Sequence, residues 1–202
     1  VDSFKKFIAE AKEGIGLTVF DIDDTLFHTF AMIKVIKDGK EIKSLTNKEY
    51  NVYKLKTGES FDFGQFKDAD NFRKTSKPII KMIEKAKAII SNANKTGSKV
   101  IIMTARADFD DKNVFLQTFK DHGVDISKVY IERAGNMGSK NSSAKNKRFL
   151  FHKYLRGGKY ARVRFFDDAL SNITMFKSLQ KQYPKVEFEA YHVQHDGSVR
   201  KV

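Results

Sequence analysis

The chain has 202 residues, 38 Lys and Arg against 25 Asp and Glu, and no cysteine. That length suits one domain of ordinary size, and a hydrophobic share of 41% with 18 Phe can bury a substantial core. The lack of cysteine excludes disulfides, thiolate catalysis and cysteine zinc sites, while the net charge of +13 favours anionic partners.

Residues 2–13 space Phe4, Phe7, Ile8 and Ala11 as one face of an amphipathic helix. Next comes LTVFDIDDTLF, Leu17 to Phe27, in which residues 17–21 read as a buried strand running into Asp21, Asp23 and Asp24. MIKVIKDGKEIKSL then alternates, and Asp38-Gly39 is a strong two-residue hairpin signal. EYNVYKL offers another short strand, so residues 32–64 read as a β-ribbon excursion. GESFDFGQFKDADNF reads as an aromatic loop, and the rings of VYKLKTGESFDFGQF could stack on a base, although packing is the commoner role of such rings.

Ser76 before Lys77-Pro78 reads as the cap of a long helix. Its apolar stripe is Ile79, Ile80, Met82, Ile83, Ala86, Ile89, Ile90 and Ala93, and Gly97 stops it. The remainder alternates: strand 99–103, helix DDKNVFLQTFKDHG, strand 128–132, helix 142–155, strand 162–166, helix 169–182, strand 186–193. Strands alternating with helices predict an α/β, Rossmann-like three-layer sandwich with a mainly parallel sheet. In such sheets ligands bind outside the carboxyl ends of the strands. Asp21 and Asp23 follow the first strand, Thr104, Ala105 and Arg106 the second, and Asp167 and Asp168 the fourth.

Four carboxylates and a hydroxyl on one rim call for a hard cation. Mg²⁺ takes oxygen ligands and shares its remaining positions with water and substrate phosphate. Asp21 and Asp167 could bind one such ion, whose charge offsets theirs. From Arg133 to Phe166 the chain has no acid at all, an uncompensated basic block that attracts phosphate-bearing partners, nucleic acid among them. No run of about 18 apolar residues and no leader pattern occurs, so a cytoplasmic protein without a membrane partner is expected.

DIDDT, VIIMTAR and RFFDDAL, in that order and each after or within an apolar strand, resemble the motifs of the haloacid dehalogenase-like (HAD) superfamily. The resemblance covers Leu17–Phe27 and Lys99–His192. It implies a Mg²⁺-dependent phosphatase acting through an aspartyl phosphate. Asp21 would be the nucleophile and a metal ligand. Asp23 would be the general acid/base, with its carbonyl on the metal. Thr104 and the neighbouring backbone at Ala105 would hold phosphate, and Asp167 and Asp168 would complete the metal site. A lysine ahead of the fourth strand would face the phosphoryl group. Lys140, Lys145 and Lys147 lie in the interval, and Lys145 is preferred because Phe149, four residues on, would anchor its helix inward.

The resemblance further implies a single HAD-like domain over 1–202 with a β-ribbon flap over 28–75, and similar ordering occurs in small HAD proteins of bacteriophages. The alternation in the insertion predicts an enlarged β-hairpin flap and no large helical cap. The substrate expected is a nucleotide or a nucleic-acid end phosphate. A non-catalytic polyanion-binding protein and a phosphotransferase or phosphomutase are the alternatives.

Overall fold

The structure is a computed structural model that describes residues 15–50, 52–137 and 142–202. The helix expected over 2–13 lies outside the described residues. A six-stranded sheet runs β11-β10-β9-β1-β7-β8. Its strands are β1 (Gly16–Phe20), β7 (Lys99–Thr104), β8 (Tyr130–Arg133), β9 (Arg162–Asp167), β10 (Glu187–Val193) and β11 (Val199–Lys201). All pairs are parallel except β10 with β11. The fold is therefore mixed α/β with a mostly parallel sheet, and β11 adds a C-terminal hairpin that the sequence reading lacked.

The strands are apolar on both sides because both faces are covered. Leu17, Val19, Ile101, Met103, Val163 and Phe165 pack with α6 (Ser143–Leu155) and α7 (Leu170–Ser178). Phe20, Val100, Ile102, Phe166 and Tyr191 belong to the other cluster, with α4 (Ile80–Thr96) and α5 (Lys112–Asp121). Phe20, Phe166 and Tyr191 stack successively across β1, β9 and β10, with ring centroids 4.8 and 4.6 Å apart. No helix among the described residues is long and apolar enough to cross a membrane.

Between β1 and α4 the chain leaves the sheet. β2 (Phe27–His28) and β6 (Lys77–Pro78) pair antiparallel and close the neck of this excursion. Beyond the neck, β3 (Ile33–Lys37), β4 (Lys40–Leu45) and β5 (Glu59–Asp62) form a sheet of order β4-β3-β5. Asp38 and Gly39 both take positive φ, 50° and 74°, as a tight two-residue hairpin requires.

Three details depart from the sequence reading. EYNVYKL contributes no strand; α1 (Asn47–Tyr50) forms there because Thr46 and Glu49 make a reciprocal capping box, Thr46 N–H to Glu49 Oε2 at 2.8 Å and Glu49 N–H to Thr46 Oγ1 at 3.3 Å. The aromatic stretch read as loop holds β5, α2 (Gly64–Lys67) and α3 (Ala69–Thr75), the last capped by Asp68 accepting from Asn71 N–H. The excursion thus carries three short helices as well as its ribbon. Ser76 ends α3 rather than starting α4, and Lys77-Pro78 is drawn into the neck, where Ile79 N–H donates to the Leu26 carbonyl.

Candidate functional site

The site lies where β1 sits between β7 and β9, at the carboxyl ends of all three. Asp21 leaves β1 with its N–H bonded to the Phe166 carbonyl at 3.0 Å. The chain then turns tightly, the Ile22 carbonyl accepting from Leu26 N–H at 2.9 Å, with Asp24 at a φ of 54°. This turn sends Asp21 and Asp23 to the sheet edge and Asp24 to the rim, where its Oδ1 lies 3.2 Å from His28 Nδ1.

Lys147, on the inner face of α6 and only 1% exposed, sits between two acids. Its Nζ donates to Asp21 Oδ1 and to Asp167 Oδ2, both at 2.8 Å. Asp167 ends β9 fully buried; its Oδ1 also accepts from Ala169 N–H and from Asn172 Nδ2, each at 2.9 Å. Asp21, Asp167 and Asp168 each offer a carboxylate oxygen, and these lie within 4.8 Å of one another. Burial, opposed by Lys147 and reinforced by Asp167, Asp23 and Asp168, pushes the Asp21 carboxyl well above its ordinary range. Burial alone would lower the Lys147 ammonium, but Asp167 and Asp21 outweigh it and raise it. Burial, then Asp167 and Asp24, push Asp168 up to about 7.

Asp23 belongs to a second buried pair. Arg106 Nε donates to both its oxygens at 3.1 and 3.0 Å, Nη2 adds 2.6 Å to Oδ1, and the Thr29 hydroxyl donates to the same oxygen at 2.6 Å. Burial would raise Asp23, but the charge and hydrogen bonds of Arg106 outweigh it and hold the carboxyl below its ordinary range. The guanidinium lies over Phe66 at 4.5 Å, and its Nη1 donates to the Phe66 carbonyl at 3.0 Å. Arg106 therefore joins the sheet edge to the excursion.

Thr104 is fully buried at the end of β7, its hydroxyl accepting from Arg106 N–H at 3.1 Å. Ala105 lines the pocket instead. Gly135 packs on this loop so closely that a Cβ would meet the Ala105 carbonyl and Ala107 nitrogen at 2.5 Å.

The preference for Lys145 is corrected by geometry. Lys145 is exposed, and Phe149, its supposed anchor, is 55% exposed. The anchors of α6 are Leu150, Phe151 and Leu155, and residues three and four before Leu150 and Phe151 share their face. That rule puts Lys147 inward. Lys140 lies outside the described residues. Sequence reasoning also missed the Arg106–Asp23 pair and Asn172, which follows Asp167 by five residues at the start of α7; no local pattern signals either.

A pocket of about 610 Å³ opens over the acids. Asp21, Asp23, Asp168 and Lys147 line one side, and Tyr50, Tyr53, Phe61, Phe63 and Phe66 of the excursion line the other. With every group charged, four acids against Lys147 and Arg106 leave two negative charges, the deficit a divalent cation would fill. No family model and no curated protein matches this chain.

Proposed function

We propose that the protein is a HAD-like phosphatase that hydrolyses phosphate monoesters through an aspartyl phosphate on Asp21, with Mg²⁺ as cofactor and a nucleotide or nucleic-acid end phosphate as substrate. The observation that carries this reading is the Asp21–Lys147–Asp167 bridge, with Asp168 beside it, at the carboxyl edge of β1 and β9. Three oxygen donors, with no nitrogen or sulfur ligand in the group among the described residues, suit a hard cation. Asp21, Asp167 and Asp168 would hold Mg²⁺, with the Asp23 carbonyl as the resemblance implies. The bound ion would offset the charge of the acids and of the substrate phosphate.

Asp21 Oδ attacks phosphorus, and the bond from phosphorus to the ester oxygen breaks. The leaving oxygen takes a proton from Asp23. A water then attacks the aspartyl phosphate, Asp23 recovers a proton from it, and phosphate leaves with Asp21 regenerated. Lys147 can follow the charge from Asp21 to the phosphoryl oxygens, a positive group already fixed where negative charge accumulates. Arg106 keeps Asp23 ionised at rest, which suits the second half-reaction directly. In the first half Asp23 must carry a proton against Arg106, so esters with poor leaving groups should be the slow ones. Asp21→Asn should abolish phosphate release from an aryl phosphate with Mg²⁺ while leaving circular dichroism and Tm near wild type. Undiminished turnover in that variant would falsify the mechanism.

A further inference from the structure

The pocket does not end at the acids. Ser142 and Ser143, which cap and begin α6, form part of its lining. Because Lys147, Leu150, Phe151 and Leu155 face inward, the outer face of α6 carries Lys145, Arg148 and Phe149, and Arg156 caps its C-terminal end. Lys145, Arg148 and Arg156 have no salt-bridge partner among the described residues. Phe149 stands 55% exposed between them. One turn on, Lys153 leads to the edge strand β8, where its Nζ lies 5.5 Å from the ring centroid of Tyr130, itself 55% exposed. Lys99 approaches the same ring at 5.9 Å. The acid beside this face, Glu132, is buried and already taken by Lys153 and the Tyr154 hydroxyl at 2.7 and 2.6 Å. Burial first, and then the charges of Arg148 and Arg156, lower His152 on the same helix.

We propose that the substrate is the phosphorylated end of a single-stranded nucleic acid, its terminal nucleotide in the aromatic-walled pocket and its trailing strand along the outer face of α6 towards Tyr130. This rests on the phosphatase reading above and narrows it from nucleotides in general to strand ends. A single large exposed ring is ordinary on a protein surface. Two exposed rings, Phe149 among cations without a salt-bridge partner among the described residues and Tyr130 beneath Lys99 and Lys153, on a path that begins at the pocket rim, match what binds unpaired bases: a basic track for the phosphates and aromatic faces for stacking. A duplex would hide the base faces that Phe149 and Tyr130 would stack on. The half-buried rings of Tyr50, Tyr53, Phe61, Phe63 and Phe66 give the terminal base a wall opposite the acids.

The test uses phosphate release and fluorescence anisotropy with DNA oligonucleotides of one, two, four and eight residues, phosphorylated at either end, and an aryl phosphate as the length-independent reference. KM should fall about tenfold or more from mononucleotide to tetranucleotide, the scale of one or two stacked bases. Arg148→Gln/Phe149→Ala should remove that gain and leave aryl phosphate turnover within about twofold, since neither side chain lines the pocket. In anisotropy, Arg148→Gln/Arg156→Gln should flatten the plot of log affinity against log salt by about 1.4, near 0.7 for each cation. Aryl phosphate hydrolysis with a KM indifferent to length and to these variants overturns the strand-end proposal and leaves the phosphatase standing. If no phosphate is released from any compound, the catalytic reading fails, and length-dependent binding lost in the double variants still supports the surface. Equal affinity for anionic vesicles or polyglutamate overturns it.

Discussion

The two walls of the pocket are built on opposite principles. The sheet-edge wall is charged, buried and hydrogen-bonded: Lys147 spans Asp21 and Asp167, and Arg106 grips Asp23. The excursion wall is aromatic and only half-buried, with Tyr50, Phe61, Phe63 and Phe66 meeting edge to face or tilted. A buried charge without its partner is costly, so each member of the first wall fixes the next. Aromatic rings contribute chiefly buried area, and their preferred edge-to-face contacts add only about 0.5–1.5 kcal/mol each, so the second wall tolerates change better than the first. Under the proposed function the first wall would carry the chemistry and the second the recognition.

The largest break in that contrast should come from Lys147→Met. It leaves Asp21 and Asp167 buried without their cation, and loss of one partner of a buried pair costs about 3–5 kcal/mol. Urea unfolding should report that loss, and turnover should vanish under conditions where the variant remains folded. Asp23→Asn should cost about 10²–10⁴-fold in kcat for an alkyl phosphate. The loss should be smaller for an aryl phosphate, whose leaving oxygen needs less help from a proton. An equal loss on both would place the role of Asp23 in the second half-reaction alone.

Gly135→Ala probes the floor between the walls. Its Cβ would drive into the backbone of residues 105–107, and overpacking of this kind costs about 1–3 kcal/mol. A lowered Tm with a raised KM is the expected pair of readings. Phe63→Leu keeps apolar bulk in the excursion but removes a stacking face. KM for nucleotides should rise up to about tenfold, about one stacking contact, while glycerol phosphate is unaffected.

The smallest effect concerns Asp168, whose carboxyl is pushed up to about 7. An acid raised on folding binds more protons folded than unfolded, so it withdraws stability as pH climbs from about 4 towards 7. Added Mg²⁺ should therefore raise Tm more at pH 8 than at pH 5, and Asp168→Asn should shrink the difference.

The walls also differ in how far the sequence disclosed them. The order of strands and helices and the acids after β1 and β9 were legible, because buried parallel strands leave continuous apolar runs and the acids stand directly behind them. Asp38-Gly39 announced its hairpin for an equally local reason. Lys147 was legible too: Leu150 and Phe151 define its face, whereas Phe149, apolar yet exposed, points to the opposite one. The capping box at Thr46 and Glu49 was also local, yet the β-branched and aromatic residues after it read as a strand. Arg106 with Asp23 could not be seen, since 83 residues separate them and only the fold brings them together. The rings of the excursion were visible as composition, but their alignment opposite the acids is a tertiary fact.

The bridge through Lys147 has a consequence for biosynthesis. Asp21 and Lys147 are separated by 126 residues, and Asp167 is 20 residues further on. While the chain is being translated, Asp21 emerges 126 residues before its lysine. The lysine then waits for its second aspartate. Until β9 pairs with β1, Lys147 lacks the Asp167 half of its bridge, and a buried charge that is incompletely paired is costly. Pairing of β9 with β1 thereby supplies the last member of the bridge, while β10 and β11, later in the chain, extend the sheet outward from it.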